Sequence, residues 1–512
     1  MTVAFNNMPA VIRAPLFYAE FNPGVSPYSG TSRTILVGRM LTGGTAKTGK
    51  LIDIGGSDPN GLFGAGSMLA DMALFARTFN ATGAVLALPL PDPTGGAPGA
   101  GSFTITGPAT SPGTLTRYVA GERYDCPVAT GDTAAVIATN MVGIINAGYV
   151  KYNRRMLPPV VASAVSGVLT LTARHTGTEC TMIKVEAGLD GDETDPAGVS
   201  VAIAAMSGGT GIIDIAAGLA FMAAQPGDWF ASPYSSVTQL NASSTFFSDS
   251  GSGRWSPTIG LEGHYITAFD GNLAAQTALG STRNDRHATI LGTYSYSHPL
   301  WSWVAALTGI IGMSKDLGRS LSEAVEIARP LQTITLQGLR GPADPSLQWA
   351  LPDRESLYRN GISAVTFAPD GAPSIDRVLT TYQFNSYGVA DVTFLGIETM
   401  AISAYVKRYI KQVVTQTYPR AVLRDDNPSG LQGVVTPTQA KATMIHAYTQ
   451  LCNIGGVVEN ATLFSQYLIV ERDTDSNRLN AYLPIDVANQ LVVFAANLTI
   501  FPQFDASTIA LQ

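Results

Sequence analysis

A strand, a helix and a second strand follow one another within residues 34–90, and this pattern most restricts the fold. Residues 34–40 (TILVGRM) read as a short buried strand. Residues 64–80 follow as a helix, because Met68, Met72, Phe75 and Phe79 recur at helical spacing, with Leu69 and Ala76 beside them. Residues 84–90 (AVLALPL) form the next strand. Strand, helix, strand is a βαβ unit, so the first domain is expected to be α/β with some parallel pairing.

The texture changes after residue 91. Residues 91–102 are a Pro/Gly linker, and the stretch to about 206 carries strand signals at 103–106, 114–119, 168–173 and 182–185 around one helix near 132–147. From about 210 the α/β pattern resumes, with strands at 228–232, 265–269 and 288–292 and helices at 300–312 and 322–328. Pro330 stops the second of these helices. The last third holds helices at 393–418 and from 437 to about 452. The second opens on Thr436-Pro437, an N-cap followed by proline at the first helical position. Strands at 467–472 and 478–483 flank an Asp/Asn-rich turn at 473–477.

Both ends carry strand candidates without a local partner. Residues 11–20 read as a strand but contain Pro15, which confines them to an edge or an added strand. Residues 491–504 are apolar and strand-like. The expected fold class is therefore an α/β core (mixed sheet with helices) assembled from both halves of the chain, with an inserted β-rich α+β domain and terminal extended arms. The expected division is an arm at 1–30, core at 31–91, insertion at 92–208, core continued at 209–380, a C-terminal core domain at 381–490 and an arm strand at 491–512.

The chain has 512 residues, too many for one hydrophobic core, which implies roughly two to four domains. Hydrophobic residues make up 46% and charged residues only 13%, against about 25% charged in ordinary soluble domains. Such a surface is expected to be covered largely by partners. A membrane span is not expected: the apolar stretch near 304–313 is interrupted by Thr308, Gly309 and Gly312, whereas a span needs about 20 mostly apolar residues. Residues 1–10 lack the basic and apolar regions of a secretory signal, so folding in a cytoplasm is expected. A net charge of −7 argues against nucleic acid as the main partner.

The motifs that could carry chemistry are incomplete. Gly44-Thr-Ala-Lys-Thr-Gly49-Lys50 resembles a phosphate-binding loop, but Leu51 stands where magnesium needs a hydroxyl, and a strand follows where a helix should. Gly61, Gly64 and Gly66 open a helix, yet the third glycine of a dinucleotide loop would fall on Leu69. Asp473, Asp475 and Asn477 start like a calcium loop, but Arg478 and Pro484 occupy the positions of its glycine and glutamate. The five histidines, His175, His264, His287, His298 and His446, have no ligand spacing, and no cofactor, metal or catalytic residue is expected.

Three segments in order resemble one family. Residues 12–20 (IRAPLFYAE) are similar to the amino-terminal arm of Mu-like contractile-tail sheath proteins, 63–72 (FGAGSMLADM) to their first conserved helix, and 480–490 (NAYLPIDVANQ) to their carboxy-terminal segment. The resemblance implies a subunit that polymerises helically around a tail tube and contracts without hydrolysis. The inserted domain would point outward. Its partners would be identical subunits, the tail tube protein and the baseplate and tail terminator proteins, in a virion assembled in the host cytoplasm. Arms would link neighbours by strand addition, a head-to-tail contact that builds helical polymers. The residues expected in those arms are Ile12, Arg13, Leu16, Phe17 and Tyr18 at one end, and Leu491, Val493, Phe494, Leu498 and Ile500 at the other.

Two further expectations concern contacts. Lys407, Arg408 and Lys411 lie opposite the apolar face of the helix at 393–418 and are candidates for tube or neighbour contact, although such clusters commonly do no more than solvate a helix. Cys126, Cys180 and Cys452 are an odd number in polar, loop-like surroundings, which suggests a disulfide between subunits; three free, mostly buried thiols are the plainer reading. Another polymerising tail or baseplate protein is the nearest alternative function, and a nucleotide-dependent α/β enzyme the more distant one.

Overall fold

In the computed structural model, residues 30–500 are described, apart from Asp192, Ala223, Asp475 and Thr499. The expected arm residues Ile12, Arg13, Leu16, Phe17 and Tyr18, and residues 501–512, lie outside them.

Eight strands make one mixed sheet. Its order is Pro373–Arg377, Ile362–Phe367, Ala288–Thr293, His264–Asp270, Trp229–Ala231, Arg33–Arg39, Ala84–Leu90 and Ile52–Asp53. The six inner strands run parallel and the two edge strands antiparallel. Parallel strands are buried on both faces, which is why 34–40 and 84–90 read as unbroken apolar runs. The seam between the halves of the chain is the pairing of Thr34 with Trp229 and Ile35 with Phe230. The core is thus assembled from segments on both sides of the insertion.

The helix expected at 64–80 forms as Met68–Phe79, and a separate short helix, Pro59–Phe63, precedes it. Gly64 and Gly66 between them have φ of +87° and +79°, a region that favours glycine and ends a helix. Ser67 then caps the second helix by accepting the Ala70 amide at 3.1 Å. That helix packs on Leu300–Ser314, which is buried from Leu300 through Gly312. A Cβ at Gly309 would stand 2.7 Å from the Ala76 carbonyl, so glycine is what lets the helices close. The interrupted apolar stretch of the sequence is therefore a core helix. Truncating its Trp303, which is fully buried, would cost about 3–5 kcal/mol.

The inserted unit closes on itself where Ala97 and Thr210 exchange backbone hydrogen bonds of 3.1 and 3.0 Å. It holds a four-stranded antiparallel sheet, ordered Ser200–Ser207, Pro98–Thr106, Val168–Thr176, Val160–Val165, and a three-stranded one of Val185–Glu186, Gly113–Val119 and Glu122–Val128. Helix Ala134–Ala147 lies against both.

Candidate assembly surfaces

Past the sheet, helix Ile397–Thr417 buries Ile402, Tyr405, Val406 and Tyr409 against the core. Helix Pro437–Gln450 begins at a capping box in which Thr436 and Gln439 satisfy each other's backbone amides, at 3.2 and 3.1 Å. Tyr448 stacks on Phe464 at 3.7 Å, and its hydroxyl donates to the Glu459 carbonyl at 2.8 Å while accepting the Asp486 amide at 3.0 Å. Strands Ile469–Arg472 and Leu479–Tyr482 form an isolated hairpin, paired from Ile469–Tyr482 to Arg472–Leu479. Among the described residues neither strand has a second partner, so both outer edges present unpaired backbone groups.

The chain then runs out over the surface. Leu491, Val493, Phe494, Leu498 and Ile500 are 72, 76, 83, 85 and 90% exposed. No charged side chain falls between Asp486 and Asp505. The strand expected at 491–504 is not formed over the described part of that range. A strand is completed by its partner's hydrogen bonds, and among the described residues no neighbouring strand pairs with 491–498. Monomeric proteins seldom expose a run of this kind without a binding role.

Of the three cations, two are committed within the subunit. Arg408 donates to Glu262 at 2.9 and 3.0 Å and to Asp228. Burial opposes its charge, but the two carboxylates outweigh that and hold the guanidinium above its ordinary range. Lys407 pairs with Glu262 at 3.0 Å and lies over the Trp255 ring. Lys411 is exposed. The acidic partners of Lys407 and Arg408 come from the 228–262 region, distant in sequence and brought in by the sheet.

The cysteine surroundings are also corrected. Cys126 lies in strand Glu122–Val128 with no exposure, and Cys180 is 3% exposed in a 3-10 turn. Polar neighbours alternate outward along the strand while the thiol points in. Cys452 is half-buried. A bridge through Cys126 or Cys180 would require the subunit to open.

A polar seam that carries no sequence signal holds the inserted unit to the core. Arg39, at the end of a core strand, pairs with Glu179 at 3.2 Å and Asp92 at 3.6 Å. His175 joins Asp92 at 2.7 Å and accepts the Met68 amide at 3.1 Å. Nearby, Glu122 meets Lys151 and, at 3.0 Å, His298. Burial alone would raise the Glu122 carboxyl, but the His298 hydrogen bond and the Lys151 charge outweigh it and hold it near about 2. Burial drives Asp71 the other way, up to about 6, against hydrogen bonds from Ser302 and Trp301. Lys151, His298 and Arg340 line a polar cleft of about 520 Å³ between the two units.

The profile of the phage tail sheath C-terminal domain matches residues 389–501. The Mu-like prophage FluMu tail sheath protein of Haemophilus influenzae is 30% identical over 97% of this chain and 99% of its own length. Among solved structures, the sheath tail protein of Desulfitobacterium hafniense covers 92% of this chain and 100% of its own at 13% identity and a TM-score of 0.46. The contracted helical sheath of the anti-feeding prophage covers 97% and 100% at 12% identity and a TM-score of 0.42. On the full-length relative and the carboxy-terminal match, the chain belongs to the Mu-like phage tail sheath protein family.

Proposed function

We propose that this sheath subunit polymerises helically around a tail tube and shortens to drive the tube through a host envelope. The observation that carries the reading is the exposed, uncharged apolar tail at 491–500 beside a hairpin with two open edges. Strand addition between neighbours would cover both surfaces, supplying backbone partners to the arms and the hairpin. The arm at 1–30, with Ile12, Arg13, Leu16, Phe17 and Tyr18, would act in the same way from the other end. Further partners in this reading are the tube, baseplate and terminator proteins, with assembly in the host cytoplasm, and the subunit acts as a structural element and not as an enzyme. Shortening would release a metastable extended arrangement by repacking subunit surfaces while the arms hold the mesh. Negative-stain microscopy of the purified protein tests this. Tubes or striated sleeves are expected, and monodisperse particles at all concentrations and salts would overturn the reading.

A further inference from the structure

The points where the chain enters and leaves the described fold are tied to the same pair of helices. At the entry, the Arg33 amide donates to Asp228 Oδ2 at 2.8 Å. Asp228 is 3% exposed, and its Oδ1 takes the Arg408 guanidinium of helix Ile397–Thr417. The next residue, Tyr409, donates its hydroxyl to Gln450 Oε1 at 2.5 Å, at the end of helix Pro437–Gln450. Two residues before Gln450, the Tyr448 hydroxyl accepts the Asp486 amide. Asp486 is where the apolar tail departs, held there by the Ala488 amide on the Val457 carbonyl at 3.0 Å. A continuous path of side-chain hydrogen bonds and helix thus runs from Arg33, the first residue of a central sheet strand, to Asp486.

We propose that Asp228 and Arg408 form a coupling node that carries load between the two arms through helices Ile397–Thr417 and Pro437–Gln450. The idea rests on the reading that the arms link neighbouring subunits. Its physical basis is stiffness. A buried carboxylate shared by a backbone amide and a guanidinium, itself forked onto Glu262, cannot slide without breaking charge-assisted bonds. Arg33 is also paired with Ala84 at the start of its seven-residue strand, and its carbonyl accepts the Asp228 amide at 2.9 Å, so the node sits where the arm root, the sheet and the helices meet and can pass load from that root to the helices.

Hydrogen exchange on the full-length subunit tests the node independently of sheath formation. Removing Arg408 alone would strand a buried carboxylate, so the variant is Arg408→Met together with Asp228→Asn. Amides at 33–36 and at 486–488 should both exchange about tenfold faster, while those at 288–293 and 362–367 stay unchanged. Arg354→Met, which breaks the 2.7 Å pair with Asp376 elsewhere in the core, should leave both arm roots protected. A change confined to the amino-terminal root, or no change, overturns the coupling. In sheaths, the double variant should assemble but fragment on contraction where wild type stays continuous; intact contracted sheaths also overturn it. Failure of the wild type to form sheaths would instead overturn the proposed function and leave the exchange result standing.

Discussion

Asn146 closes one edge of the inserted sheet by bonding both backbone groups of Ala162. Its amide donates to the Ala162 carbonyl at 2.8 Å, and its oxygen accepts the Ala162 amide at 2.9 Å. Those groups face away from the neighbouring strand and would otherwise offer a template to another chain. The opposite edge, Ser200–Ser207, has no such cover among the described residues and no charge. Asn146→Ala should cost about 1–3 kcal/mol in urea unfolding, since it leaves a paired amide and carbonyl without partners. It should also raise light scattering from subunit solutions. Unchanged stability and scattering would mean that Asn146 does not guard the edge.

Asp71 gives a pH prediction with a definite sign. Burial raises its folded pKa from 3.8 to about 6, so its contribution is fully present below 3.8 and is lost as pH rises through about 6. The shift corresponds to about 3 kcal/mol, which partial exposure reduces to about 1–2. Asp71→Asn should therefore be more stable than wild type at pH 7.5 by that amount, with the gap closing as pH falls toward 4. His298 works in the opposite direction. Burial lowers its pKa to about 4, so its contribution is present above about 6.5 and lost toward 4. It is common to both proteins and cancels in the difference. Denaturant titrations at four pH values decide the matter, and a gap independent of pH would refute it.

Thiol reactivity should follow burial. The Cys126 thiol is pushed up to about 11, by burial first and Asp132 second, and Cys180 is equally enclosed. Only a thiolate reacts. Alkylation of the native subunit should label Cys452 before the other two, and intact particles on a non-reducing gel should yield no high-mass ladder. A ladder that collapses with reductant would restore the bridge between subunits.

Lys411 remains the test of a charged tube contact on helix Ile397–Thr417. Lys411→Glu should leave the melting point unchanged, because the side chain is exposed, while weakening sheath–tube association at low salt. Lys407→Glu is a poorer probe, since it would also set two acidic groups against each other at Glu262. Full association of the Lys411 variant at low salt would remove the contact.

Deleting residues 1–20 or 491–512 should give a soluble protein with a near-normal melting point that forms no polymers. The exposed side chains of 491–500 contribute little to the core. Regular sheaths from either truncation would exclude that end from the mesh.

Much of the fold was legible because periodicity reports burial. The strands at 34–40 and 84–90 are parallel neighbours, and the helix opening at Thr436-Pro437 starts where its cap chemistry requires. The resemblance in residues 12–20, 63–72 and 480–490, taken in order, pointed to the family. Local patterns cannot identify a partner distant in sequence. Arg408 looks like a surface cation until the sheet brings Asp228 and Glu262 against it. Cys126 looks polar until strand alternation turns it inward. Asp71, Glu122, Lys151 and His298 carry no motif, and the altered acidities of Asp71, Glu122 and His298 exist only because the inserted unit and the core bury them against each other. Residues 491–500 have the composition of a strand and no strand structure. Composition fixed what those residues can bury; the hydrogen-bonding partner that would make them a strand has to come from the assembled structure.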